Sequence, residues 1–384
     1  MCRESTHAVR RDDAIGWGSL SFRHAFTRLE GRQTIASPSR PPQPLRILQS
    51  FGEPGPTTNP YLTQVLRRVP GVAQRPFTWR TALFGRYDVF HLHLPDVLFL
   101  RSSRVRSAGG ALLFLALLLR LRLTRTALVR TAHNLAPHER RGVVTNALDR
   151  LSARGTALWI RLNDRTTVPD GAAVATILHG DYIEWFSGRP HPPRQRGRLL
   201  FFGLIRPYKG VDDLVTAFQG FDDPDAALRI VGRATPELQA EIEAAAIGDR
   251  RIDAAFEYVD DERLAEEVGE AELVVLPYRE MHNSGVAILA LSLGRPILVP
   301  ENETNADLAT EVGETWVQRF TGTVDAADLA RALAAVRDIG TERPDLSRRS
   351  WSTVGSQHAQ AYERAVRIRR GERGLGAQAR LYSA

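Results

Sequence analysis

Short apolar runs alternate along this chain with longer stretches whose apolar residues recur at helical spacing. The pattern opens with "LRILQSFG" (45–52) and continues through "YDVFHLHL" (87–94), a helical run "AGGALLFLALLLRLRL" (108–123) and "TALVRTAHN" (126–134). A helix from about 138 to 153, then "TALWIRL" (156–162) and "AVATILHG" (173–180), complete the first half. Strand, helix, strand at this pitch is the mark of right-handed βαβ units and a parallel sheet. "SGRPHPPRQRGR" (187–198), rich in Pro, Gly and Arg, interrupts it and reads as a linker. The pattern then restarts, with strands expected at "RLLFFGLI" (198–205), "AALRIVGR" (226–233), "AELVVLPY" (271–278) and "RPILVP" (295–300). Helices fall at about 211–220, 235–246, 261–269, 284–293 and 325–337, and a last one from Trp351 to about Arg370.

The fold class expected is therefore α/β, with two Rossmann-like doubly wound domains facing across a cleft. Residues 45–190 form the first and 191–345 the second; 346–384 supply a helix that packs back on the first domain, and a tail. Residues 1–44, polar and ending in "SPSRPPQP", read as a disordered leader. A chain of 384 residues exceeds the size at which one core stops growing, which agrees with two domains. The single cysteine, Cys2, allows no internal disulfide and fits a reducing compartment, and the N-terminus has no apolar core of signal-peptide length. A cytoplasmic protein is expected.

Charge changes this picture in two places. Lys and Arg number 51 against 44 acidic residues, a net +7, yet only one of the cations is a lysine, Lys209. Between Asp96 and Glu139 there is no acidic residue, while Arg101, Arg104, Arg106, Arg120, Arg122, Arg125 and Arg130 all fall there. The apolar run among them is shorter than the roughly 20 residues that span a bilayer. It reads either as a buried crossover helix or as a helix lying against anionic lipid headgroups. On the second reading Arg101, Arg104, Arg106, Arg120 and Arg122 contact the inner membrane face peripherally. Nucleic-acid binding is not indicated, for there is no aromatic and basic platform and no helix-turn-helix spacing.

Doubly wound sheets bind ligands outside the carboxyl ends of their strands, so the chemistry should sit in the loops that follow them. After the first strand comes "SFGEPGPTTNP" (50–60), where Gly52 and Gly55 let backbone approach a ligand and Glu53 adds a carboxylate. It is neither a dinucleotide fingerprint nor a P-loop. Asp96 follows "HLHLP", and His133 and Asn134 follow the next strand. His91 and His93 alternate on a strand with no Cys or carboxylate at zinc-ligand spacing, so no metal is expected. In the second half, Arg206 and Lys209 stand three apart before a helix, one planar fork and one flexible point charge suited to a diphosphate. "NSG" (283–285) opens another helix whose free N–H groups make an anion site, with Ser284 as cap.

The stretches "FFGLIRPYKGVDDLVTAF", "AELVVLPYREMHNSG" and "ALSLGRPILVP" resemble the donor half of glycosyltransferases with the GT-B fold, most closely family 4 and its bacterial exopolysaccharide relatives. "FHLHLPD" and "TAHNLAPHE" resemble their acceptor half. The resemblance implies transfer of a hexose from a GDP- or UDP-sugar to a lipid-linked or saccharide acceptor, with no cofactor beyond the nucleotide-sugar and no metal. Gly203, Arg206, Lys209 and the 283–285 turn (Asn283, Ser284, Gly285) would then hold the diphosphate. Backbone at Tyr258 and Val259 would meet the base, and His133 the transferring sugar. The acceptor-side loop would comprise Gly52, Glu53, Gly55 and Asn134. Family 4 members usually carry two glutamates flanking this last helix. Here Glu280 stands near the first, but Leu289 replaces the second. An inverting enzyme would instead need a general base, for which Asp96 and Glu53 are the candidates. A sugar-nucleotide epimerase of the same fold, or a catalytically inactive binding protein, are the alternatives.

Overall fold

The computed structural model describes residues 43–100, 103–132 and 142–372. The first sheet contains β1 (Leu45–Gln49), β2 (Val72–Arg75), β3 (Val89–Leu92), β4 (Ala127–Ala132), β5 (Leu158–Arg161) and β6 (Val174–Thr176). The second contains β7 (Arg198–Phe202), β8 (Ala227–Val231), β9 (Ile252–Ala255), β10 (Leu273–Val275), β11 (Ile297–Pro300) and β12 (Val317–Phe320). The first half carries helices α1 (Pro60–Arg67), α2 (Trp79–Phe84), α3 (Asp96–Phe99), α4 (Arg104–Leu123) and α5 (Val143–Gly155). The second carries α6 (Val211–Gln219), α7 (Pro236–Ala246), α8 (Asp261–Glu270), α9 (Gly285–Ser292), α10 (Glu303–Val312) and α11 (Ala326–Val336), and α12 (Trp351–Arg370) ends the fold.

Both sheets are parallel throughout, in the orders β2-β1-β3-β4-β5-β6 and β12-β11-β10-β7-β8-β9. The strand order therefore reverses beside β1 and β3 in one sheet and beside β7 and β10 in the other. At such a reversal the following helices leave to opposite faces, and a crevice opens between their loops. The loops that carry Gly52 and Asp96, and those that carry Lys209 and Ser284, all start at these two points.

Central strands are apolar because helices cover both faces; "VFHL" of β3 and "LVV" of β10 are wholly buried. The strands that the apolar pattern does not predict, β2 ("VAQR"), β9 ("IDAA") and β12 ("VQRF"), lie at sheet edges and are half-exposed. The second sheet accordingly has six strands, not four. The polar helix α10 and the short α1 and α2 are likewise additions. The strand expected over 198–205 ends at Phe202, because Gly203 turns the chain at φ 109°. The helix expected from about 138 is described from Val143, since residues 133–141 lie outside the described residues. So do the leader over 1–42 and the tail beyond 372.

The chain passes between the halves twice, side by side. Asp181 N–H donates to Arg349 O (2.8 Å), and Trp351 Nε1–H donates to Asp181 O (2.9 Å). Helix α12 then packs on β3, β4 and β5.

Candidate active site

Residues 203–210 leave β7 and re-enter α6 through a single 3-10 turn at Pro207–Lys209. Gly210 ends that turn in the left-handed region at φ 61°, where a Cβ would stand 2.2 Å from Pro277 O. Only glycine fits there, and the close approach locks this loop onto the one after β10. Arg279 of the second loop completes the link. Its Nε donates to Asp213 (2.9 Å), one terminal nitrogen donates to Asp212 (2.7 Å) and the other to Pro207 O (2.6 Å).

Lys209 is buried at this junction, its Nζ 4.9 Å from the centre of the Tyr278 ring. It makes no ion pair with any described carboxylate. Burial, and then the neighbouring Arg206 guanidinium, push the ammonium down from 10.5 to about 8. A cation held so is short of negative charge. What lies next to it supplies no anion, but it does supply donors. A Cβ built on Gly203 would lie 3.8 Å from Lys209 Nζ and 3.5 Å from Val286 Cγ2, so the ammonium, the Gly203 turn and the first turn of α9 share one small volume. Ser284 caps α9, its Oγ accepting from Ala287 N–H at 3.2 Å. The remaining N–H groups of that turn and the positive end of the helix dipole point the same way.

From the first half, His179 and Tyr182 reach the same turn. A Cβ on Gly285 would meet His179 Nε2 and Tyr182 Oη at 3.2 Å each. His179 Nδ1 pairs with Gly180 O at 2.9 Å, which aims Nε2 at the helix. Neither residue was expected in the site. The signal was a histidine just past the last strand run of the first half, in "AVATILHG".

The other predicted residues are distributed as follows. Asn283 bridges to the first half: its side-chain oxygen accepts from Asn163 (2.7 Å) and its side-chain nitrogen donates to Thr166 Oγ1 (3.5 Å). Tyr258 donates to Pro56 O at 2.8 Å, which joins the loop after β9 to the loop after β1, with Val259 beside it partly buried. Gly52 and Gly55 face open space and have no positive φ, and Glu53 is exposed. Asp96 is partly buried at the start of α3, and Glu280 is exposed. Leu289 is buried within α9. His133, Asn134 and Arg101 lie outside the described residues, as does the Arg104 side chain. His91 is no ligand-facing group: its ring nitrogens pair with Tyr362 Oη (2.9 Å) and Thr131 Oγ1 (2.8 Å) inside the core. His93 Nε2 pairs with Gln49 Oε1 (3.0 Å). Arg120 is a correction. It turns inward, Nε donating to Leu83 O (2.9 Å) and a terminal nitrogen to Gly85 O, with the guanidinium 4.3 Å from the Tyr87 ring centre. It closes the end of α2 rather than facing a membrane. Among the described residues no cluster of three or more His, Cys, Asp or Glu is placed to hold a metal ion.

Two doubly wound domains that meet across a crevice, with cations and a helix N-terminus on its second wall, define the GT-B class of fold. Solved structures agree. The Anabaena protein Alr3699/HepE, in complex with UDP and glucose, superposes with a TM-score of 0.54 at 15% identity, over 85% of this chain and 98% of its own. A sucrose-phosphate synthase from Thermosynechococcus elongatus gives the same TM-score, identity and coverage. The family model for glycosyl transferases group 1 matches residues 196–338. A GDP-mannose:glycolipid 4-beta-D-mannosyltransferase from Xanthomonas campestris pv. campestris is 46% identical over 325 residues, covering 84% of this chain and 93% of that protein. The chain belongs to the group 1 glycosyltransferases.

Proposed function

We propose that this glycosyltransferase moves mannose from GDP-mannose to a glycolipid acceptor, without a metal ion. The observation that carries the donor chemistry is Lys209, a buried ammonium with no described carboxylate partner, set close to the first turn of α9. A diphosphate placed there would regain for the ammonium the charge that burial withholds, with Arg206 at its rim. The choice of GDP-mannose and glycolipid follows from the relative that shares 46% of its residues across 84% of the chain. Cations and helix amides stabilise the departing GDP electrostatically, which is the work a divalent ion does elsewhere.

The relative's name specifies a β linkage. GDP-mannose is an α-glycosyl phosphate, so a β product requires inversion at the anomeric carbon. The acceptor oxygen attacks C1, the bond from C1 to the phosphate oxygen breaks with its electron pair going to GDP, and the acceptor proton passes to a base. Leu289 in place of a second carboxylate agrees with a reaction that forms no second charge contact from α9. Asp96, at the carboxyl end of β3 on the acceptor side, is the base we assign; Glu53 stands on the neighbouring loop.

The test is transfer of radiolabelled mannose into solvent-extractable lipid, using membranes of an exopolysaccharide producer as the acceptor source. GDP-mannose should label the lipid and UDP-glucose should not, and EDTA should leave the rate unchanged. Labelling from a UDP-sugar alone, or loss of activity in EDTA restored by a divalent ion, would overturn the respective part of the reading.

A further inference from the structure

Helix α4 has two apolar faces. One packs on the first sheet through Phe114, Leu117 and Leu121, which are buried with Phe90 and Leu128. The opposite face carries Val105, Leu112, Leu115, Ala116, Leu119 and Leu123, all exposed; Leu112, Leu119 and Leu123 keep 68%, 58% and 74% of their surface open. A helix that covers a sheet normally turns charged residues to water. Helix α8 does so with Glu262 and Glu266. Among the described side chains of α4, the charged ones that face solvent, Arg106 and Arg122, flank the apolar stripe. Helices α2, α3 and α5 pack beside α4, and Phe84 on α2 and Val144 on α5 are exposed apolar residues as well. Among the described residues nothing covers the stripe.

We infer that the outward face of α4 inserts into the headgroup region of an anionic membrane, its leucines in the acyl boundary and Arg106 and Arg122 on lipid phosphates. The inference rests on the glycolipid-acceptor reading for its biological sense, but not for its physics. Twenty residues of helix make a rod about 30 Å long that lies in the interface plane. No described helix is long and apolar enough to cross a membrane, so the contact is to one leaflet. Charge decides against a second copy of the chain as occupant. A two-fold interface centred on α4 would bring the arginines of both copies together, with no acidic residue between Asp96 and Glu139 to separate them. Lipid phosphates reverse that penalty. Orientation follows as well. A helix after a parallel strand runs back along it, so the first turn of α4 lies at the cleft end of the sheet, one short loop from Asp96. The membrane surface thus reaches the lip of the crevice where a lipid-linked acceptor must enter.

The test is sedimentation of the full chain with vesicles of phosphatidylcholine alone or mixed with phosphatidylglycerol. Wild type should pellet with the anionic vesicles, Leu112→Gln/Leu119→Gln should lose at least about tenfold in partitioning, and Arg106→Glu/Arg122→Glu should lose the salt-sensitive part. The GDP-induced rise in Tm should be unchanged in all three, which shows the fold and donor site intact and separates this result from the fate of the donor reading. Wild type left in the supernatant, or a leucine variant that pellets as well as wild type, would overturn the inference. So would a wild-type dimer in sedimentation velocity that the leucine variant converts to monomer.

Discussion

At the scale of single residues, Lys209 sets function against stability. Its folded-state pKa near 8 lies below the ordinary 10.5, so the unfolded chain holds the proton more tightly. The cost is fully present below about pH 8 and fades as pH rises toward 10.5. A depression of that size corresponds to about 3 kcal/mol. Lys209→Met keeps the stem and removes the charge. It should therefore raise the Tm of the ligand-free protein at pH 7, match wild type above pH 10, and abolish stabilisation by GDP. In wild type, GDP affinity should fall as pH climbs through 8. A variant less stable than wild type at pH 7 would show that the ammonium is already satisfied. Lys209 stood out in the sequence because it is the only lysine and precedes a helix; its burial beside the first turn of α9 did not show there. His179 was not, since its role depends on a contact with Gly285, more than a hundred residues further on, that no local pattern encodes.

At the scale of elements, legibility followed burial. Strands sandwiched between helices appear as apolar runs; β2, β9 and β12 do not, because these edge strands carry polar residues, whereas the edge strand β6 ("VAT") lies in an apolar run and was visible. The decisive element, α9, was visible as "NSG" before an apolar stretch, although its position beside Gly203 had to come from the crossover that pairs β10 with β7. Its cap gives a test that separates folding from binding. Ser284→Ala loses the bond to Ala287 N–H and should cost about 1 kcal/mol of stability. On the proposed donor site it should also weaken GDP binding, by loosening the first turn assigned to the phosphate. Asp325→Ala removes the comparable cap of α11, after the edge strand β12, and should cost similar stability while GDP binds as before. Denaturant midpoints and GDP titrations of both variants check this. Equal losses of GDP affinity in the two would mean that α9 has no special part.

At the scale of the whole molecule, the two halves are held by the paired crossings and by contacts along the crevice. Arg165 pairs with Glu303 and Asp307 between the halves (2.9 and 2.7 Å), but on an exposed surface, where such pairs contribute little to stability. The crossings are buried and more consequential. Gly180 admits no Cβ, which would fall 2.6 Å from the Trp351 ring, and Arg349 donates to His179 O while paired with Glu311 (2.7 Å). Asp181 lies in this hinge, and burial pushes its carboxyl up from 3.8 to about 6. A folded-state value above the unfolded one means that the folded protein holds the proton more tightly, so stability falls as pH rises from about 4 through 6. Asp181→Asn keeps an oxygen to accept from Ile183 N–H (3.1 Å) without the charge. At pH 7 the variant should be more stable than wild type by up to about 3 kcal/mol, and below pH 4 the two should converge. An unchanged midpoint at pH 7 would show that the wild-type carboxylate is already compensated.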